Sequence, residues 1–503
     1  MPQRSEDVRY TLGDVQISTV TWRSPAAVTD APAACDTLGY QRYRPLDAAG
    51  RPVTADLVLS LQPGNTGGPS SFDPLARNLI AALRRSGVNC EVWAMARRGQ
   101  PLTDPTGMRA AVAAGDHRVA VDYYYRGRAL GGRTYTGWLP MRRQRFLRDY
   151  GLAQVLRDWH TIHSLELPDP AQRARQLVIG GHSLGGPLSN FYCQWDFPSG
   201  PGYREVAGVI GLDGPITVDP LQLDLRAAHR TRTALRMLAA TTHNRLAPPS
   251  NNVGPLRLGD LALLLSTAAL AARFHPQAHS TLLADVPRSM LVDSLFRLLY
   301  PQGGPRRWQL TNAALFGTLF SRSAAATTLA NDMGTYQGAV RVKRAGLTRL
   351  ARTPLAGEIV TAAFGGGPLH MPADPRRTLT DWCADGGISS FTDTVFAWGN
   401  GEFSYLNSYE SRRLVGEAFA GMIGERSGDL TGLRHGDWEE HIPSLTITGD
   451  VWTPIRRRLH PRANLIHAEG YSHQDVLSAR QPDVVVDSMT AFLLGNLEIA
   501  RSA

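Results

Sequence analysis

LVIGGHSLGG, residues Leu177 to Gly186, opens as an apolar run and ends as a glycine-rich turn. Gln176 to Gly180 reads as a buried strand, and Leu184 to Gln194 as a helix. Between them stands a G-x-S-x-G pattern, Gly181-His182-Ser183-Leu184-Gly185. In a chain with 49 glycines the pattern alone means little, but a strand running in and a helix running out give it a structural meaning. A serine on so sharp a turn needs small residues two positions to either side, because larger ones would collide with neighbouring backbone. The turn lifts Ser183 Oγ above the sheet edge and aims the helix N-terminus at whatever binds there.

Outward from this stretch, strands and helices alternate. Ala55 to Leu61, Cys90 to Met95 and Val206 to Leu212 read as strands, as do Ser444 to Thr448 and Asn464 to His467. Leu75, Leu79 and Leu83 share a helical face; Asp73 is the expected cap, Pro74 fits the first turn and Gly87 the end. Leu152, Val155, Leu156, Trp159 and Ile162 mark a second helix, and Pro482 to Leu494 a last one. Strands that are apolar throughout predict a parallel sheet covered on both faces. From about 215 to 440 the pattern is mostly helical. The expected organisation is therefore 1–215 and 441–503 as two parts of one α/β core, with 216–440 as an inserted helical cap.

A serine hydroxyl needs a base to become a nucleophile. His473, after the last predicted strand and before the final helix, is the candidate. The base needs an acid to orient it, and two aspartates end strands. Asp450 follows Ser444 to Thr448 and completes the order Ser…Asp…His; Asp213 follows Val206 to Leu212. Asp450 is preferred and Asp213 stays open.

The segments LQPGN, EVWAMARRG, VIGGHSLGG, VIGLDGP, SLTITGD and GYSHQDVL together resemble an α/β-hydrolase of the lipase and esterase kind. The resemblance covers about 50–215 and 440–500. It implies a mostly parallel α/β-hydrolase-type sheet, with the cap inserted between its sixth and seventh strands (Val206 to Leu212 and Ser444 to Thr448). It further implies an oxyanion hole made by the N–H of Leu184 and one in the loop after the strand Ala55 to Leu61. Many relatives carry His-Gly in that loop; Pro63-Gly64 stands here, which makes Asn65 N–H the candidate. The acid of many relatives lies three residues past the glycine, where this chain has Trp452.

Composition narrows the remaining choices. The chain has 503 residues and a net charge of +9, yet all but one of its 53 basic residues are arginine, as a GC-rich genome would produce. Only Arg456 to Arg458 form a run, so no nucleic-acid surface is expected. Four scattered cysteines without a C-x-x-C pair exclude a zinc ribbon or thioredoxin-type site and fit a reducing compartment, with two disulfides still open. The longest apolar run, Leu261 to Ala272, is too short to span a membrane, and the polar start has no secretory core; a cytoplasmic location is expected. His435, Asp437 and His441 read as a solvated loop rather than metal ligands. The expected activity is hydrolysis of a small-molecule carboxylic ester with an apolar or aromatic portion, without metal or organic cofactor. An amidase, an acyltransferase and a catalytically silent binding protein of the same fold remain alternatives.

Overall fold

The computed structural model describes residues 3–25, 28, 30–214, 216, 248–253, 256–325, 330–344, 368–452 and 464–502. Its main sheet has nine strands: β1 Arg4–Leu12, β2 Val15–Arg23, β3 Thr37–Pro45, β4 Leu57–Gln62, β5 Cys90–Ala96, β6 Leu177–His182, β7 Gly208–Leu212, β8 Ser444–Thr448 and β9 Asn464–His467. They lie in the order β1-β2-β3-β5-β4-β6-β7-β8-β9. The first three pair antiparallel, β3 also meets β5 antiparallel, and every pairing from β5 to β9 is parallel.

Burial explains why β4, β6 and β7 read clearly. All their residues are buried, because helices cover both faces of the parallel part. One face carries α1 Asp73–Arg85 and α8 Val484–Ser502, whose Leu75, Leu79, Leu83, Met489 and Leu493 pack on Leu59, Leu61 and Ile210. The other carries α2 Leu152–Glu166 and α3 Gly185–Gln194, with Leu156, Trp159, Leu188 and Phe191 against Trp93 and Ile179. Ser60, buried within β4, is satisfied: its Oγ meets Trp159 Nε1 and His163 Nε2, each at 2.8 Å.

One local expectation needs correction. Asp73 does not cap α1; it lies in the first turn, where its carboxylate receives Tyr10 Oη at 3.0 Å and Arg77 Nε at 2.8 Å. Buried with these partners, it links the helix to the edge of the sheet. The strands β1 to β3 had no expectation at all, because an edge meander exposes β1 on both faces and gives little hydrophobic pattern.

The chain between β7 and β8 is mostly helical where described, with three short antiparallel strand pairs among the described residues, the longest being Val340–Arg344 against Pro368–Pro372. Its centre is α4 Leu258–Phe274, buried almost all round, against α5 Asn312–Phe320 and α6 Phe391–Trp398. A helix apolar on every side is stable only inside protein or lipid. Here it is enclosed by protein, and among the described residues no helix is long and apolar enough to cross a membrane. The end of the segment behaves differently. From α7 Arg412–Met422 onward, Leu414, Ala418, Leu433 and Trp438 join the apolar cluster of α2 and α3. The chain has thus rejoined the sheet well before residue 440. None of the four cysteines is paired.

Candidate active site

β6 runs straight into Ser183, whose φ of 54° lies in the left-handed region. For a residue with a side chain this costs about 1–3 kcal/mol and persists only where the surroundings enforce it. They do so here. Ser183 N–H donates to Leu212 O at 2.9 Å, and Gly186 N–H to Ser183 O at 3.1 Å, which ties the turn to β7 and α3 at once. The flanking glycines are steric requirements: a Cβ on Gly185 would stand 2.0 Å from Gln62 O, and one on Gly181 2.5 Å from the Gly185 carbonyl carbon. Ser183 itself is half-buried.

His473 lies in the loop after β9, and its Nδ1 is hydrogen-bonded to Asp213 Oδ2. The Asp213 side chain is 0% exposed; its Oδ1 accepts Gly449 N–H at 2.7 Å, and its own N–H donates to Ile447 O at 2.7 Å. The residue is thereby fixed to the end of β8 and to the loop of the histidine. Asp450, the preferred acid from chain order, is not paired with His473. Its carboxylate receives Gly470 N–H at 3.2 Å and lies 3.4 Å from His467 Nε2, and its side chain is 39% exposed. Sheet order is the reason: β7 is the immediate neighbour of β6, whereas β8 stands one strand further out.

The loop of His473 has two further supports. His182 Nε2–H donates to His473 O at 2.8 Å, and the two rings lie 4.4 Å apart. Burial, and then the proximity of His473, hold the His182 imidazole well below its ordinary value, so it stays neutral. Two residues beyond His473, buried Asp475 accepts Ser472 N–H at 2.7 Å, Asp332 N–H at 2.8 Å and Ser389 Oγ–H at 2.6 Å. Asp332 and Ser389 belong to the segment inserted between β7 and β8, so that segment holds the histidine loop in place.

The loop after β4 closes the other side. A Cβ on Gly64 would lie 3.0 Å from Ser183 Cβ and 3.2 Å from His182 Nδ1, so only glycine lets this backbone approach the serine. Gly67 N–H donates to Gly64 O at 3.0 Å, forming a turn with Asn65 and Thr66 at its centre. Asn65 is exposed, and neither its N–H nor that of Leu184 has an acceptor among the described residues. Thr66 has a φ of 59°, unusual for a β-branched residue. Its N–H donates to the Glu410 carboxylate, and its carbonyl accepts Asn407 N–H at 2.7 Å. Glu410 is in turn paired with Arg97, at the end of β5. Neither role is legible in the sequence: a lone Glu after the aromatic stretch 396–409 looks like any surface acid until the fold buries it.

Several expected or conceivable features lie elsewhere. The cavities at 283–307 and 308–376 do not have Ser183 in their walls. His435 pairs with Asp196, and the rings of His435 and His441 both pack on Tyr203. Asp116, His117 and His275 do converge, but the Asp116 carboxylate already takes the Arg118 N–H and guanidinium. Arg456 to Arg458 lie outside the described residues.

Compared with known proteins, the chain matches no family profile and no curated sequence. It is similar to solved structures. A peroxisomal alpha-beta-hydrolase of Saccharomyces cerevisiae shares 12% identity over 99% of this chain and 90% of its own, with a TM-score of 0.33. A hypothetical protein from Pseudomonas aeruginosa shares 11% over 98% and 97%, with a TM-score of 0.37. A soluble variant of monoglyceride lipase from Saccharomyces cerevisiae shares 11% over 99% and 95%, with a TM-score of 0.31. Scores this low carry no weight by themselves. The sheet of this chain does: a parallel run β5-β4-β6-β7-β8-β9 extended by the antiparallel β3, with a strained serine between β6 and its helix. On that architecture the chain has the α/β-hydrolase fold.

Proposed function

We propose that the protein is a serine hydrolase that cleaves a carboxylic ester through an acyl-enzyme intermediate. The observation that carries this reading is the His473–Asp213 pair, on a loop whose His473 carbonyl accepts from His182, the residue before a serine held in left-handed backbone at a strand-to-helix turn. Ser183 Oγ attacks the ester carbonyl. His473 takes the hydroxyl proton on Nε2, because Nδ1 is committed to Asp213, and returns it to the leaving alcohol. Asp213 keeps the imidazole in that tautomer and supports its positive charge. The amides of Leu184 and Asn65 receive the developing oxyanion, a contribution commonly worth about 3–4 kcal/mol per donor. Water then enters by the same route in reverse and releases the acid. The chemistry needs no metal or organic cofactor.

In this reading 1–215 and 441–503 form the catalytic core and 216–440 the cap. Because residues 412–438 pack in the core cluster, the working boundary lies nearer 410. An apolar or aromatic substrate portion is part of the proposal, as binding sites are mostly apolar and the cap is rich in such side chains. The test is labelling by a fluorophosphonate together with turnover of acetate, butyrate and longer 4-nitrophenyl esters. Ser183→Ala should abolish both label and turnover while the protein stays folded. Label retained at another serine, with activity intact, would overturn the assignment.

A further inference from the structure

Behind the loop that faces Ser183 lies an ion pair that the proposed chemistry does not use. Arg97 and Glu410 have side chains only 6% and 0% exposed. Arg97 donates Nη1 to Gly64 O at 3.0 Å and Nη2 to Pro63 O, and meets Glu410 Oε1. The other Glu410 oxygen takes Thr66 N–H. One guanidinium thus reads two successive carbonyls, and its counter-ion reads an amide two residues further on.

Peptide geometry turns this into an orientation. In a trans peptide the C=O and the following N–H point in opposite directions. Pro63 O shares its peptide with Gly64 N–H, and Gly64 O with Asn65 N–H. With both carbonyls drawn to Arg97, both N–H groups must face away from it. A Cβ on Gly64 would meet Ser183 Cβ and His182 Nδ1, so these peptides run alongside the serine. Thr66, held left-handed with its N–H on Glu410, stops the peptides from flipping back.

We propose that Arg97, anchored by Glu410, is the positioning residue that aims the amides of Gly64 and Asn65 at the oxyanion. A planar fork suits two carbonyls and a carboxylate at once, which an ammonium point charge does not. Glu410 makes the buried guanidinium tolerable, since an unpaired charge there would be strongly destabilising. The inserted segment carries Glu410 and stitches its backbone to the same loop, through Gly68 N–H to Tyr405 O at 2.9 Å and Ser70 N–H to Ser404 O at 3.1 Å. The segment between β7 and β8 therefore builds the site rather than only covering it.

The inference rests on Ser183 being the nucleophile, and the experiment separates the two. Fluorophosphonate titration counts competent serines in wild type, Arg97→Met, Arg97→Lys and Glu410→Gln. Per labelled site, Arg97→Met should lose about 100-fold in kcat on 4-nitrophenyl butyrate with KM little changed, the size expected of a displaced oxyanion donor. Arg97→Lys should fall between it and wild type. Affinity for a trifluoromethyl ketone, which forms the tetrahedral adduct, should drop in proportion to kcat/KM. A merely structural role would reduce the labelled fraction and leave kcat per site and ketone affinity unchanged; that result overturns the proposal. Should Arg97→Met fail to fold, Glu410→Gln decides by the same two readings, with a loss of about tenfold expected. If wild type takes no label at Ser183, the parent reading fails and this one with it.

Discussion

His473 Nδ1 meets the carboxylate of Asp213, which ends the strand next to that of Ser183 and is wholly buried. The histidine lies 260 residues further along the chain. A contact so distant in sequence, at a buried carboxylate that also accepts Gly449 N–H, fixes the imidazole in orientation and tautomer.

Asp213→Asn is therefore expected to lower kcat by about three to four orders of magnitude, and Asp450→Asn by less than about tenfold. Ester turnover by the two purified variants, each checked for folding by circular dichroism, gives the ranking. If Asp450→Asn proves the more damaging, Asp213 is a structural acid.

Gly64→Ala places a methyl 3.0 Å from Ser183 Cβ and forces the loop outward. The expected result is a loss of about 10- to 100-fold in kcat with little change in thermal stability. Gly495, in α8, is the control, because a Cβ there meets nothing within 4 Å. Gly495→Ala should leave kcat alone and stabilise the helix by about 0.5–1 kcal/mol.

Glu410 supplies a pH signature. Burial pushes its carboxyl up to about 7, against the opposing pull of Arg97 and the Thr66 N–H. The folded chain therefore binds this proton more tightly than the unfolded chain. That contribution to stability is fully present below the ordinary value of 4.5 and is lost as pH rises through about 7. Urea unfolding of wild type and Glu410→Gln should show the wild type losing up to about 3 kcal/mol relative to the variant between pH 4.5 and 7.5. A difference that stays flat would mean that burial does not raise the Glu410 carboxyl, and one that grows with pH that Arg97 holds it ionised.

Trp438 tests where the inserted segment ends. It is fully buried with α2 and α3, and its Nε1 donates to Asn190 Oδ1 at 2.8 Å. Trp438→Ala should cost about 3–5 kcal/mol of global stability in urea unfolding. A loss confined to a separate, earlier transition would assign 410–440 to an independently folding cap.

The sequence by itself determined what local pattern can carry. Short, wholly apolar strands announced a parallel sheet, because both faces are covered. Gly181, Ser183 and Gly185 announced the elbow, because any side chain at the flanking positions would strike Gln62 or neighbouring backbone. Ser183 and His473 could be named as candidates because each follows a legible strand. Tertiary structure alone decided the partner of His473. Two aspartates end strands in equivalent ways, and only the lateral order of β6, β7 and β8 puts Asp213 nearer. It alone decided Arg97 and Glu410 as well. These residues are 313 positions apart and carry no motif. What gives them meaning is burial beside three successive peptides of one loop, and burial at that range is a property of the packed chain.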